Sequence, residues 1–408
     1  MKILYVIITL LYLLKHVFES VYAFDVYPII SGLLLLIIFL NLSRVVSSKD
    51  IYLFTSVIFF SFFSTLLFNQ NLNDNFLNLV FIYFLQPLAI FSFFIDKNLN
   101  DIKDRSEFAL RVISISSIPV FLGGIYFYAV HLLGIADLFQ IYAIEFTNTA
   151  GNFTLRNTSF TGSSLMLAGI ALIQFLAAQY LSMNSNKIIY TLCIFCALMS
   201  IAFSLSRRGI LPVMFFYSVI LLWYSRSRGI KLILYSLGFL TITFMVAPGL
   251  IEILLFRVNS IFDLINDTSN ASRIELMWQG LVEIIRQPWG LGFGALSSVG
   301  YTSQEVWMLE SVQVTESSII SFVGELGVPA AMILFFMIFV KIRMLDRRIF
   351  SLFFIPLLIE SVVGLGIYGP IVSFYIISLL CSIYSLETQQ RFNQSKHFGN
   401  KPEILSSS

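Results

Sequence analysis

The chain has 408 residues, of which 58% are hydrophobic and only 12% charged, and its formal net charge is +2. A soluble globular domain carries about twice that share of charge, so the composition excludes one and predicts an all-α, polytopic integral membrane protein. Net charge adds nothing further, because in a membrane protein it is the placement of Lys and Arg along the chain that counts.

Apolar runs of about 17 to 25 residues, enough for a helix to cross a hydrocarbon core of roughly 30 Å, recur along nearly the whole chain. In chain order they predict twelve spans, at 3–22, 26–43, 51–68, 77–95, 108–134, 163–183, 188–204, 209–224, 230–247, 317–340, 349–366 and 369–386. The first run, with Lys2 ahead of it and SVYA before Phe24, also has the form of a signal peptide. An uncleaved first span is the reading adopted, and cleavage leaves the remaining topology unchanged.

With the N-terminus inside, the inner connections, Lys2, Arg111 and the tail hold 18 of the 25 Lys and Arg. Seven lie outside: Lys15, Arg156, Arg207, Arg208, Arg257, Arg273 and Arg286. The positive-inside rule therefore predicts cytoplasmic N- and C-termini. The expected organisation is an N-terminal transmembrane region over 1–247 with nine spans, an extracytoplasmic cap over 248–316, a C-terminal transmembrane region over 317–386 with three, and a tail over 387–408.

Two outer segments, 135–162 and 248–316, are much longer than the other connections, and long connections in a compact architecture usually carry function or are disordered. The second is well patterned. Gly249 to Leu264 suits a helix lying along the membrane interface. Ser272-Arg273-Ile274-Glu275 has the form of a capping box, and Ile274, Met277, Trp278, Leu281, Ile284 and Ile285 follow at helical spacing until Pro288 and Gly290. This predicts an amphipathic helix whose apolar stripe docks on the membrane domain.

The cap holds eight acidic residues and three arginines, so it is no general basic face and each arginine needs its own reason. Arginine grips phosphate oxygens with two parallel donors and stays charged, which makes an external diphosphate the candidate ligand. Arg273 is expected in the first turn of its helix. There the macrodipole disfavours a cation by about 0.3–1 kcal/mol, and a bound anion would reverse that preference. An ion pair with Glu252 or Asp267 is the alternative. Arg286 falls in the last turn, where a cation is at ease.

Arg207 and Arg208 lie in FSLSRRG between the seventh and eighth spans, with Ser204 and Ser206 favouring a water-lined pocket over simple snorkelling. Arg156 opens the small polar run LRNTSFTGSSLM at the start of the sixth span. Three carboxylates complete the candidates. Glu316, at the mouth of the tenth span, could take a proton from an acceptor hydroxyl, or serve merely as a helix-start carboxylate. Glu325 and Glu360, inside the tenth and eleventh spans, are costly in a membrane unless they line a cavity.

Other chemistries find no support. Cys193, Cys196 and Cys381 all fall in expected spans, where packing is the simplest reading. The sequence has no nucleotide-binding glycine loop and no D-x-D pair, and His16, His131 and His397 are too far apart for a metal site. The expected reaction uses a pre-activated substrate without cofactor or protein-bound metal.

Four segments occur in a telling order. They are Arg156 to Ser164, the S-x-S-R-R-G run ending at Gly209, the R-x-x-x-x-W helix from Arg273 followed by PWGLGFG, and TESS through GELG from Thr315 to Gly327. Together, over roughly 150–345, they resemble the O-antigen polymerase and ligase superfamily of bacterial polysaccharide assembly. The resemblance implies a glycosyltransferase of the bacterial cytoplasmic membrane acting at its outer face on undecaprenyl-diphosphate-linked glycans. Arginines would hold the donor diphosphate, which maps onto Arg207, Arg273 and, with less to support them, Arg156 and Arg286. A chain-length regulator and a flippase would be functional neighbours, and no nucleic acid is involved. Ligase members carry a histidine after the large loop; this chain has Glu316 there and no histidine in the loop, which favours a repeat-unit polymerase over a ligase. A lipid-linked-glycan flippase and a peptidoglycan polymerase are the competing readings. The first gains nothing from a large external cap, and the second fits the motif order less well.

Overall fold

The computed structural model describes residues 1–42, 51, 54–59, 84–95, 99–134, 145–149, 152–185, 187–223, 268–292, 317–343, 345–363 and 370–399. These residues are predominantly helical. The first half comprises α1 (Lys2–Leu13), α2 (Lys15–Tyr22), α3 (Tyr27–Leu40), α4 (Gln86–Phe94), α5 (Leu99–Ile115) and α6 (Ser117–Leu133). A two-stranded antiparallel hairpin follows, β1 (Glu145–Thr149) and β2 (Asn152–Arg156), with Glu145 opposite Arg156. Next come α7 (Ser164–Asn184), α8 (Ile188–Ser204), α9 (Arg207–Trp223), α10 (Thr268–Arg286), α11 (Ser318–Leu326), α12 (Val328–Arg343), α13 (Ile355–Val363) and α14 (Pro370–Gly399).

Three described helices are long and apolar enough to cross a membrane: Asn100–His131, Ser164–Asn184 and Ile371–Arg391. The pair α1–α2, bent by 56°, makes a fourth if it counts as one span. The chain is thus an integral membrane protein, but the twelve expected spans are not all of one kind. The runs at 26–43, 188–204 and 209–224 form shorter apolar helices, and 230–247 lies outside the described residues. The runs at 317–340 and 349–366 are interrupted. The first breaks at Gly327 (φ 85°), and the second opens with a π-helical stretch, Phe350–Phe354, before α13. Uniform apolarity cannot reveal such breaks, because it does not depend on where the backbone hydrogen bonds change partner.

At the centre stands α7, buried along nearly its whole length from Leu167 to Leu181. Its small residues Ala168, Gly169, Ala171, Ala177 and Ala178 let neighbouring helices approach closely, the usual device where lipid offers no hydrophobic contrast. Around it α5, α8, α9 and α14 contribute Leu110, Ala197, Phe216 and Phe374 to one continuous core. Tyr180 at one end of α7 donates to Glu387 Oε1 (2.8 Å) on α14. Lys2 pairs with Asp104 at the start of α5. The Asn184 end of the bundle thus gathers residues assigned to the inner side.

Polar side chains in the core are hydrogen-bonded to one another across helices. Gln174 Nε2 donates to Ser116 Oγ (2.8 Å) where α5 passes into α6, and Tyr375 Oη lies 3.5 Å from the same hydroxyl. Tyr12 donates to Gln86 Oε1, whose amide donates to Ser373 Oγ (2.6 Å). These residues tie α1, α4, α5, α7 and α14 together.

Candidate functional site

At the Ser164 end of the bundle, three sequence-distant segments meet. The first is the polar run after β2. Asn157, Thr158, Ser159 and Thr161 are buried, not looped out. Asn157 N donates to the Phe203 carbonyl (3.1 Å) and its Nδ2 to the Gly124 carbonyl (3.0 Å), while its Oδ1 accepts from Ser159 N (2.7 Å). Ser159 Oγ donates to the Val120 carbonyl (2.6 Å). The Gly123–Gly124 pair of α6 makes this possible, since a Cβ on Gly124 would fall 2.7 Å from Asn157 Nδ2. Ser163 then caps α7, its hydroxyl accepting from Leu165 N (3.3 Å).

The second segment is the turn between α8 and α9. Arg156 Nε donates to the Ser204 carbonyl (3.3 Å), so Arg156 joins the two segments directly. Ser204 and Ser206 are buried, and Ser204 Oγ donates to the Ile201 carbonyl (2.7 Å) within the turn. Arg207 opens α9. Arg208 is only 5% exposed, and within electrostatic reach of it lies the carboxylate of Glu360, 2% exposed, on α13. Glu360 Oε2 has no hydrogen bond among the described residues. Its Oε1 lies 3.7 Å from where a Cβ on Gly169 would sit, so the glycine on α7 leaves room for the Glu360 carboxylate, and Gly209 lets α9 approach Ile201 and Ala168.

The third is the cap. The helix α10 begins at Thr268, four residues ahead of Ser272, so Arg273 sits in its second turn and the first-turn argument for an anion there falls. A Ser-x-x-Glu pattern matches a capping box wherever it occurs, and here the helix runs through it. Gly280 and Ile284 are buried, and α10 packs on α11. The stripe expected to dock is itself exposed at Ile274, Trp278, Leu281 and Ile285. Arg286 pairs with Glu283 on its own helix (2.7 Å), its side chain 66% exposed.

Beyond α10, Pro288 to Gly292 runs as a strap along the break between α11 and α12. Leu291 N donates to the Gly324 carbonyl and Val328 N to the Pro288 carbonyl, both at 2.8 Å. The strap needs glycine on both sides: Gly290 and Gly327 have φ of 110° and 85°, and a Cβ on Gly327 would lie 2.4 Å from the Trp289 carbonyl oxygen. Glu325, fully buried, is in this break. Glu316 lies outside the described residues, as does Gly249 to Leu264.

Residues 192–335 match the family model described as O-antigen ligase. Over that stretch the chain is similar to that family. The match supports the O-antigen polymerase and ligase superfamily, and no curated protein matches the chain. The family segment begins in α8, takes in Arg207, Arg208, Arg273, Arg286, Glu316 and Glu325, and ends in α12; Arg156 and Glu360 lie outside it and join it only through the fold. Sequence reading missed the strap, which pairs two family motifs, and the buried docking of Asn157. The paired glycines of GLGFG and GELG were the available signal for the first. For the second the signal was the Gly-Gly pair inside an apolar run.

Proposed function

We propose that the chain polymerises undecaprenyl-diphosphate-linked oligosaccharide repeats at the outer face of the bacterial cytoplasmic membrane, building an O-antigen, capsule or exopolysaccharide. The observation that carries this reading is the buried Arg208 within electrostatic reach of Glu360 on α13, a helix that packs on α11, to which the strap is hydrogen-bonded. A buried guanidinium is an expensive group to retain unless its charge is used, and a diphosphate is a ligand matched to its geometry.

In the reaction an acceptor sugar hydroxyl attacks the anomeric carbon of the donor chain. A new carbon–oxygen bond forms, the bond from that carbon to the diphosphate oxygen breaks, and lipid diphosphate leaves with the electron pair. Arg207, Arg208, Arg273 and Arg156 offset the charge that builds on the leaving group, and Arg286, already paired with Glu283, contributes least. Glu316 receives the hydroxyl proton. Glu325 and Glu360 balance the arginine charge within the membrane.

Ligation of finished glycan to a lipid acceptor is the second reading, and the family model's own description favours it. Surface glycan from a deletion strain separates the two. A missing polymerase leaves single repeats attached to the surface lipid, whereas a missing ligase leaves none attached.

A further inference from the structure

Helix α10 has three faces. At about 100° per residue, Ile274, Trp278, Leu281 and Ile285 fall within about 60° of one another. Glu275, Gln279 and Arg286 form a second face, polar and bonded along its length, with Gln279 Nε2 donating to Glu275 Oε1 (3.4 Å). The third, with Gly280 and Ile284, turns to α11 and is buried. The first face is apolar and yet open: Trp278 is 66% and Ile285 77% exposed, and Trp289 just beyond the helix is 64% exposed.

The strap fixes the depth of this face. Its bonds hold Pro288 to Leu291 against Gly324 to Val328, where α12 begins. The 16 residues of α12 run from there to Arg343, and Asp346 just beyond is in electrostatic reach of Glu387 at the Asn184 end. At 1.5 Å per residue that is about 24 Å, against a hydrocarbon core of roughly 30 Å. With Arg343 at one boundary, the strap and the C-terminal end of α10 therefore lie close to the opposite boundary. Along α12 itself Met332, Phe336 and Phe339 are 65%, 68% and 61% exposed, the surface that lipid covers in an integral membrane protein. The open face of α10 is apolar and exposed in the same way, and Trp278 and Trp289 are the residue type that settles at the headgroup level.

We infer that the Ile274, Trp278, Leu281 and Ile285 face of α10, with Trp289, is a membrane-docking surface seated in the headgroup–acyl boundary of the bilayer, opposite the Arg343 side. Its polar face then points to water and its buried face holds α11. Docked in this way, α10 lies flat beside the site and fixes the strap at the level where an amphiphilic substrate presents its headgroup. The inference does not depend on which reaction the chain performs.

Spin labels test it without touching the buried face. Single cysteines at 275, 278, 279, 281 and 285, in a chain whose three native cysteines are alanine, are labelled and reconstituted in vesicles of phosphatidylethanolamine and phosphatidylglycerol at about 3:1. Relaxation by oxygen, which concentrates in acyl chains, is compared with relaxation by a water-soluble nickel chelate. Labels at 278, 281 and 285 should favour oxygen at a depth of about 5–10 Å, and those at 275 and 279 should favour nickel. Equal nickel access at all five positions would overturn the inference, placing the face in water. Protection of 278, 281 and 285 from both reagents would overturn it too, placing a protein, such as a second copy, on the face.

Discussion

Replacing Gly327 by alanine tests the coupling between cap and membrane domain at its tightest point. The backbone there (φ 85°, ψ 151°) is in a region left almost entirely to glycine, and adopting it costs another residue about 1–3 kcal/mol. The added Cβ would also lie 2.4 Å from the Trp289 carbonyl oxygen and 2.5 Å from its carbon, so the strap must move away. Moving it gives up the Leu291–Gly324 and Val328–Pro288 hydrogen bonds, each contributing about 0.5–1.5 kcal/mol. The junction should weaken by about 2–6 kcal/mol in all. Since about 1.4 kcal/mol is tenfold in an equilibrium, the Leu291 and Val328 amides should exchange at least about 30-fold faster by mass spectrometry of the protein in nanodiscs. Gly32→Ala is the matched control: nothing lies within 4 Å of its Cβ, and alanine favours the helix interior. Unchanged protection of both amides in Gly327→Ala would refute the strap.

Further outcomes follow from the site itself. Glu360→Leu and Arg208→Met should each destabilise the protein by about 3–5 kcal/mol in thermal unfolding, because each takes from a buried charge an opposite charge within its electrostatic reach. The double variant should regain most of that stability and none of the glycan polymer; a double variant as unstable as the sum of the singles would deny that the two charges are coupled. Arg286→Ala should cost about 0–1 kcal/mol and leave glycan length intact, as its exposed pair with Glu283 predicts, and shortened chains at normal protein level would return Arg286 to the binding set. Glu316→Gln should reduce polymer more than Glu305→Gln or Glu310→Gln, and equal activity in all three would remove Glu316 from the mechanism.

What the sequence made legible, and what it hid, follows from the kind of signal each feature leaves. Long apolar runs located α7, α8 and the start of α14 to within a residue, because hydropathy reads membrane immersion directly, whereas α14 runs on to Gly399 past the expected end of its span at 386. It says nothing about hydrogen-bond register, so the Gly327 break and the π-helical Phe350–Phe354 stretch lay hidden inside runs that look continuous. The helix α10 was visible from its spacing, but its start was not, since Ser272 to Glu275 satisfies a capping pattern without capping anything. Its orientation was hidden for a related reason: an apolar stripe announces that something covers it and not whether protein or lipid does. Among the site residues, Glu360 stood out as a charge inside an apolar span and Arg208 as an arginine on the side that the charge bias leaves poor in cations. That they come within electrostatic reach of each other could come only from the packing of α9 and α13.

The central claim is tested most directly by the purified chain in vesicles, supplied with an undecaprenyl-diphosphate-linked oligosaccharide repeat and no nucleotide. The account predicts a ladder of lipid-linked products differing by one repeat, with one undecaprenyl diphosphate released for each bond formed, and no ladder from Arg208→Met. A chain that leaves the repeat unjoined, yet moves it once onto an added lipid A core acceptor, would contradict the polymerase reading and establish a ligase.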